Sequence, residues 1–470
     1  MTPSAPRSWD LVVIGGGSAG LVASKTAAGF GARVLLIESG RLGGDCLWTG
    51  CVPSKALIAA AADGRRGQDA FARAFASVRR AVASIAPTDS REALEAAGVT
   101  VISGRARFTS PRTLNVDGTR IAFTQALIAT GATPVTPIIE GADATRIRTT
   151  EDFWELTELP PRLVVLGGGA VGCELGHAMG RLGATVTVVQ RGPRILPREE
   201  PDASEIIERA MTADGVSIRT NRTVAKIRSS DSGEGEGSRV VVLDNGEEIG
   251  FDVMLAALGR RSGTAGLALE QAGVRTGPDG FVIVDRMLRT SNRRIWAAGD
   301  VTGAPMFTHT AGVNGSLAAS NAILGLHRKA ETAVVPRATF TAPEVAAVGL
   351  QAADADPRRH RVVTWFHDHA DRAIAEDTED GYTRIVVDHR GRILGGTIVS
   401  PRAGETVGEL ALAVHAKLTT ADVAGTIHPY PTFNDPLWNT AIADVRHRLG
   451  RGAVSAAIGV LRRLRGWSLR

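Results

Sequence analysis

Hydrophobic residues gather into unbroken blocks at two places along the chain, and glycines follow each block. The stretch WDLVVIGGGSAGLVASKTAAGFGARVLLIES, residues 9–39, reads as an apolar strand, a Gly turn, a helix and a second strand ending at Glu38. The arrangement returns at 162–192 as RLVVLGGGAVGCELGHAMGRLGATVTVVQRG. Between the two lies an Ala- and Arg-rich helical stretch, 55–98, then short strands ending in ALIATGATP at 126–134. Strands at 216–256 are interrupted by SSDSGEGEGS, whose composition predicts a loop. RRIWAAGDVTG, 293–303, is another strand-to-loop element. From Pro336 the pattern changes to strands such as RIVVDHRGRILGGTIVS and helices such as ETVGELALAVHAKL, which marks a further domain.

Both glycine turns have the G-x-G-x-x-G spacing: Gly15, Gly17, Gly20 and Gly167, Gly169, Gly172. The first glycine permits the tight turn, the second lets backbone approach a pyrophosphate, and the third lets helix and strand pack closely. The free N–H groups of the following helix then face the anion. Two such matches in strand–turn–helix–strand context predict an α/β chain with two Rossmann-like dinucleotide-binding domains. An α+β domain follows them.

Composition narrows the setting. A chain of 470 residues, 44% hydrophobic and 22% charged, needs several domains. Three cysteines cannot build a secreted disulfide scaffold and fit a reducing, cytoplasmic setting. No signal peptide or membrane span is read from the sequence. The net charge of +5 sits in the tail, where Arg446, Arg448, Arg451, Arg462, Arg463, Arg465 and Arg470 follow the last acid, Asp444. The rest of the chain carries no footprint for nucleic acid. Within the tail, Val454, Ala457, Ile458, Leu461 and Leu464 share a helical face. A basic amphipathic helix of that kind can lie on an anionic membrane, and a tail packed on a dimer is the plain alternative.

Cys46 and Cys51 stand in GGDCLWTGCVPSKAL, 43–57. Metal binding needs more ligands than two cysteines, and no metal is expected. A structural bridge does not suit a reducing compartment, which leaves a redox pair or two idle thiols. Residues five apart in a regular helix lie about 8–9 Å apart, beyond the roughly 7 Å limit for a disulfide. A bonded pair therefore requires a break in the helix, for which Gly50 supplies freedom. Pro53 suits a helix starting at about Cys51, where a thiol ionises more readily.

GGDCLWTGCVPSK following VVIGGGSAG resembles the signature of the FAD-dependent pyridine nucleotide–disulfide oxidoreductases, which include lipoamide dehydrogenase, glutathione reductase and mercuric reductase. The likeness extends to ATG at 129–131, AGD at 298–300 and TAPEVAAVGL in the last domain, and so covers nearly the whole chain. It implies an FAD domain in two segments (1–150 and 276–335), a NAD(P) domain at 151–275, an interface domain at 336–445 and a basic tail at 446–470. It also implies a homodimer whose active site draws on both chains. Gly15, Gly17 and Gly20 would cradle the FAD pyrophosphate, Glu38 the adenosine ribose, and Asp300 the ribityl or pyrophosphate side. Gly44, Thr130, Gly131, His309, Gly259 and Arg260 are further cofactor-binding candidates. Lys55 would sit by the flavin, paired with Glu174. Cys51 would be the thiolate against the flavin and Cys46 the thiol that meets the acceptor. Cys173 has no such role and is expected to be a buried structural thiol.

For the nicotinamide, Gln190 stands where an acid would bind the 2′-hydroxyl of NAD, and Arg191, Arg194 and Arg198 follow. Loss of the anion and gain of guanidinium favour NADPH over NADH. Gly172, often Ala in NADP-using relatives, points the other way. In the disulfide reductases a His-Pro-Thr motif with a following Glu handles protons. This chain reads HPYPTFND at 428–435, with Tyr430 at the His position, Asp435 at the Glu position and His428 two residues earlier. A tyrosine titrating near 10 is a poor neutral-pH base, which leaves easy reduction of a dithiol-type substrate in doubt. Trp48, between the cysteines, is bulkier than the usual residue. The function expected is electron transfer from NADPH through flavin to a Cys46–Cys51 disulfide and on to a small-molecule or protein disulfide, or another thiol-reactive acceptor. The alternatives are an NAD(P)H:quinone-type flavin reductase that bypasses the cysteines, at a membrane surface, and a catalytically idle flavoprotein.

Overall fold

The structure, a computed structural model, describes residues 8–142, 147–229, 239–303, 305–450 and 452–468. Residues 230–238 of the expected loop and the Val454 side chain lie outside that set. The chain divides into two compact units, Met1–Arg191 with Arg219–Glu331, and Gly192–Ile218 with Thr332–Arg470.

The first unit is α/β and contains both fingerprints. Its larger sheet runs, in spatial order, Val99–Ser103, Val34–Glu38, Trp9–Ile14, Thr119–Ile128, Thr113–Val116 and Ala106–Ser110, with Ile295–Ala297 also paired to Thr119–Ile128. The central strands are parallel and apolar on both faces, as strands covered on both sides must be. Leu11 and Val13 face one core with Leu36 and Ala319, while Val12 and Ile14 face another with Phe108 and Ile128. A second parallel sheet pairs Thr185–Gln190 with Arg162–Leu166, then Val253–Ala256 and Ile147–Arg148. The antiparallel strands Val224–Ser229, Arg239–Leu243 and Glu248–Phe251 accompany it.

Both glycine turns obey the same steric rule. A Cβ on Gly20 would lie 1.8 Å from the Gly15 carbonyl oxygen, and one on Gly172 would lie 1.9 Å from that of Gly167. The helices Ser18–Gly29 and Ala170–Arg181 therefore start in close contact with the strands before them.

The second unit is α+β. Five antiparallel strands run in the order Arg337–Thr339, Glu344–Gly349, Ile393–Ser400, Tyr382–Asp388 and His360–Phe366. Val407 and Leu410 of helix Ala403–His415 and Leu437 of helix Asp435–Leu449 bury against Val348, Ile385 and Ile398. Helix Pro201–Ala213 belongs to this unit, and a buried polar cluster explains why. Tyr382 donates its hydroxyl to Glu200 at 3.1 Å and Asp202 at 3.0 Å, Arg384 pairs with both acids, and Arg337 reaches Glu199 at 2.8 Å. Separating these groups would leave buried charge uncompensated, a strongly unfavourable change.

Candidate active site

The chain between the cysteines is broken. Helix Gly44–Trp48 carries Cys46, helix Cys51–Ala61 begins on Cys51, and Thr49 and Gly50 lie between. Two indoles hold the break. Trp154 Nε1 donates to the Thr49 carbonyl at 2.9 Å, and Trp48 Nε1 donates to that of Leu42 at 2.7 Å. The Arg41 guanidinium stacks 4.2 Å from the Trp48 ring.

Cys46 and Cys51 are free thiols within hydrogen-bonding reach of each other. The two sulfurs are driven in opposite directions. The hydrogen bond from Cys46 brings Cys51 down to about 6 against the opposing effect of burial, with help from Thr308 and the Lys55 charge. The same contact, with burial, pushes Cys46 well above the ordinary thiol range. Thr308 Oγ1 lies 3.2 Å from Cys51 Sγ. Sequence reading missed Thr308, and its only signal was adjacency to His309. The His309 ring instead stacks on Phe307, centroids 5.2 Å apart.

Helix Cys51–Ala61 packs on the second fingerprint helix, Ala170–Arg181. Lys55 Nζ thereby meets Glu174 Oε2 at 2.8 Å, with Glu174 buried and Lys55 half-exposed. The ammonium favours a thiolate on Cys51 and the carboxylate opposes it. Replacing Lys55 by Met removes the favourable charge and leaves Glu174 unneutralised, so both changes act with one sign. The midpoint of Cys51 ionisation should rise from about 6, and a rise of one unit would cut thiolate at pH 7 from about nine-tenths to about half. The pH dependence of thiolate absorbance and of alkylation rate checks it.

A candidate dinucleotide cradle lies at the first fingerprint and its neighbours. Gly15 has φ +105°, and a Cβ there would lie 2.4 Å from the Ala129 carbonyl oxygen. The helix after Gly17 has no side-chain cap, so its first N–H groups remain available to an anion. Gly44 approaches so closely that a Cβ on it would lie 2.7 Å from the Gly17 Cα. Glu38, at the end of its strand, accepts from Gly16 N at 2.5 Å and Gly40 N at 2.6 Å. In ATG, the buried Thr130 hydroxyl has no hydrogen-bond partner, and neither does that of Thr310 at the start of helix Thr308–Leu324. Orphaned buried hydroxyls are rare unless a ligand or water completes them, so these residues fit a bound dinucleotide. Arg260 pairs with Asp45 and lies 3.4 Å from Asp300, whose carboxyl is raised by burial despite the guanidinium. Gly259, next to it, has φ +105°, and Gly131 has φ +65°.

The second fingerprint repeats the design with an amide. Gln190 Oε1 accepts from Gly168 N at 3.0 Å, where Glu38 accepts from Gly16 in the first. Gly167 (φ +102°) and the uncapped helix after Gly169 match their counterparts. Arg191 is exposed, and Arg222 N donates to the Gln190 carbonyl at 3.1 Å. In the other unit, Arg194 is bound to the Pro197 and Glu199 carbonyls and Arg198 is exposed. Cys173 is fully buried, with its sulfur 3.4 Å from the Gly168 carbonyl.

The segment 428–435 has partners that the sequence did not signal. Tyr430 is exposed and donates its hydroxyl to Asp371, whose carboxylate pushes the phenol further above its ordinary range. Asp435 is buried and accepts from Thr432 N at 2.9 Å and Thr432 Oγ1 at 3.2 Å, closing the turn into its helix. His428 places Nε2 2.8 Å from Glu409 and Nδ1 2.9 Å from the Thr426 carbonyl. Asn434 also donates to Glu409.

Comparison with known proteins agrees with this geometry. Residues 9–315 match the model of the pyridine nucleotide-disulphide oxidoreductases, and residues 335–441 match the dimerisation domain of that family. The chain is 34% identical to a mercuric reductase of Lysinibacillus sphaericus over 448 residues, 92% of this chain and 81% of the relative. It is 33% identical to a dihydrolipoyl dehydrogenase of Thermus scotoductus, covering 93% and 97%. Among solved structures it resembles the HOCl-induced flavoprotein disulfide reductase RclA from Escherichia coli, with TM-score 0.84, 28% identity and coverage of 91% and 98%. LpdA from Mycobacterium tuberculosis is similar at TM-score 0.85 and 28% identity, covering 92% and 99%. A paired-thiol turn beside a double dinucleotide fold and a matched dimerisation domain converge on one conclusion: the chain belongs to the pyridine nucleotide-disulphide oxidoreductase family and is a flavin-dependent oxidoreductase.

Proposed function

We propose that this enzyme takes electrons from NADPH and delivers them through the Cys46–Cys51 pair to a small-molecule or protein disulfide, or to another thiol-reactive electrophile. The observation that carries the reading is geometric: two free thiols flank a helix break, Cys51 opens its helix 3.2 Å from Thr308 Oγ1, and Lys55 on that helix is held by Glu174 at 2.8 Å. FAD, when bound, supplies the two-electron relay between the nicotinamide and the disulfide. Gly15, Gly17, Gly20, Glu38, Gly44, Thr130, Gly131, Asp300 and Arg260 would hold it. Cys51 keeps the thiolate, and Lys55, fixed by Glu174, keeps positive charge near it. Cys46, losing its proton, attacks one sulfur of a disulfide acceptor, whose S–S bond breaks and whose other half leaves as a protonated thiol. The Cys51 thiolate then attacks the Cys46 sulfur, releasing the second half as a thiolate and closing the Cys46–Cys51 disulfide. In this reading residues 1–150 and 276–335 hold FAD and 151–275 the nicotinamide. Residues 336–445 form the interface of a homodimer, for which the matched dimerisation domain is the support. The setting is cytoplasmic, and among the described residues no helix is long and apolar enough to cross a membrane.

Proton handling is assigned to His428. Tyr430 already donates to Asp371 and is held neutral, which suits a donor and not a base. His428 is held by Glu409 at one ring nitrogen and the Thr426 carbonyl at the other, which fixes the orientation of the imidazole. An acceptor screen with wild type, Cys46→Ser and Cys51→Ser tests the proposal. An acceptor whose turnover needs both sulfurs supports it, and none that does overturns it. The absent imidazole at 430 favours a second reading, reduction of quinones by the flavin without the cysteines, at a membrane surface.

NADPH is preferred because Gln190 removes an anion and Arg191 adds an exposed cation beside it. Arg191→Ala should lower the ratio of kcat/KM for NADPH over NADH by about 10- to 100-fold, the worth of a hydrogen bond to a charged group. A wild-type enzyme faster with NADH would refute the preference.

A further inference from the structure

Among its described side chains, helix Gly452–Ser468 leaves five large apolar residues uncovered. Leu461 is 65% exposed, Leu464 58% and Trp467 81%, and Ile458 and Val460 are exposed as well. At about 3.6 residues per turn these five fall within one half of the helix circumference. Arg462 and Arg463, both exposed, lie on the other half, and Arg465 sits at the margin. Isolated apolar residues on a surface need no explanation, but a continuous helical stripe does.

The charge of this region decides between occupants. The last acid, Asp444, is fully buried between Arg361 and Arg448, so it neutralises nothing on the surface. Arg446 is exposed on the preceding helix and adds to the same sign. A second copy packed helix against the same helix across a two-fold axis would bring Arg462 and Arg463 close to their own counterparts. An anionic bilayer offers complementary charge to the arginines and an apolar layer to the stripe. Trp467, at the edge of the stripe, has the amphipathic ring favoured at the lipid–water boundary.

We propose that helix Gly452–Ser468 docks this enzyme on an anionic lipid surface. It lies in the plane of the bilayer with Ile458, Leu461, Leu464 and Trp467 in the acyl boundary and Arg462 and Arg463 on lipid phosphates. The inference deepens the membrane-surface element of the second reading above, yet it stands under either acceptor, since lipid binding involves no electron transfer.

The test is co-sedimentation of the full-length holoenzyme with sucrose-loaded vesicles, either pure phosphatidylcholine or with roughly a third phosphatidylglycerol. Binding should be at least about tenfold stronger to the anionic vesicles and should fall as salt rises. The double variant Arg462→Ser/Arg463→Ser should lose about fivefold per arginine removed. Leu461→Asp/Leu464→Asp should abolish binding. Truncation after Gly450 should abolish it too, with NADPH oxidation by a soluble dye unchanged. Wild-type protein that stays in the supernatant, or binds both vesicles equally, overturns the proposal. So does a Leu461→Asp/Leu464→Asp variant that turns monomeric in analytical ultracentrifugation while its vesicle binding persists, because the stripe would then belong to a second copy. Failure of the NADPH reading alone leaves every vesicle result in place.

Discussion

Replacing Cys51 by Ser should lower turnover with a disulfide acceptor by about a thousandfold or more, because a hydroxyl neither ionises near neutrality nor re-forms the disulfide. The structure makes Cys51 the sulfur to test. It opens helix Cys51–Ala61, touches Thr308 Oγ1 at 3.2 Å, and is the thiol whose ionisation is brought down to about 6. Its depressed value means thiolate is present above about pH 6 and lost as pH falls through it. Wild-type enzyme reduced by two electrons without air should therefore show a long-wavelength thiolate–flavin absorbance that fades on acidification through that range. Cys51→Ser should lack the band at every pH. Cys46→Ala should keep a band, because Cys51 remains, but should lose the hydrogen bond that depresses it most, so its midpoint should move up. If Cys51→Ser retains full disulfide turnover, the cysteine route is wrong. If it retains only quinone reduction, the second reading gains.

The parts of this site that sequence made legible are those where chemistry and local spacing coincide. Glycines at 15, 17 and 20 are demanded by contacts within one strand–turn–helix unit, and the same unit recurs at 167, 169 and 172. Glu38 and Gln190 end matching strands and bind matching backbone N–H groups, so one position could be read from the other. Disulfide geometry required a break between the cysteines only if they bond, with Gly50 supplying the freedom; the break is present with both thiols free.

Partners distant in sequence were a different matter. Lys55 and Glu174 are separated by 119 positions, and only the family resemblance joined them. Nothing local marks Asp371 as the acceptor for Tyr430, Glu409 as the partner of His428, or Asp45 as that of Arg260. The grouping of 192–218 with the C-terminal unit was equally hidden. It rests on Glu199, Glu200 and Asp202 meeting Arg337, Tyr382 and Arg384 in the folded state. Periodicity reports which face of an element is apolar, and it carries no record of which element will cover that face.

Gly15→Ala should yield protein that purifies largely without FAD and with little NADPH oxidation of any kind. Gly15 holds φ at +105°, a region an L side chain rarely adopts, and a Cβ there would meet the Ala129 carbonyl oxygen at 2.4 Å. Backbone strain at such a position costs about 1–3 kcal/mol by itself. Relief by movement is blocked, because Gly15 N is bonded to the Ile37 carbonyl at 2.9 Å and Ala129 N to the Ile14 carbonyl at 2.8 Å. A shift of either strand end would also displace Gly20, which packs on the Gly15 carbonyl, and Thr130, whose buried hydroxyl has no hydrogen-bond partner. The cost therefore falls on the turn proposed to hold the pyrophosphate. FAD affinity should drop by at least about tenfold, while far-ultraviolet circular dichroism stays close to wild type. The second fingerprint separates cofactor effects: Gly167→Ala, whose Cβ would lie 2.5 Å from the Ala257 carbonyl oxygen, should leave the yellow colour and remove reduction by NADPH. A Gly15→Ala protein with full flavin content and a Gly167→Ala protein with unchanged NADPH kinetics would show that neither turn holds a pyrophosphate.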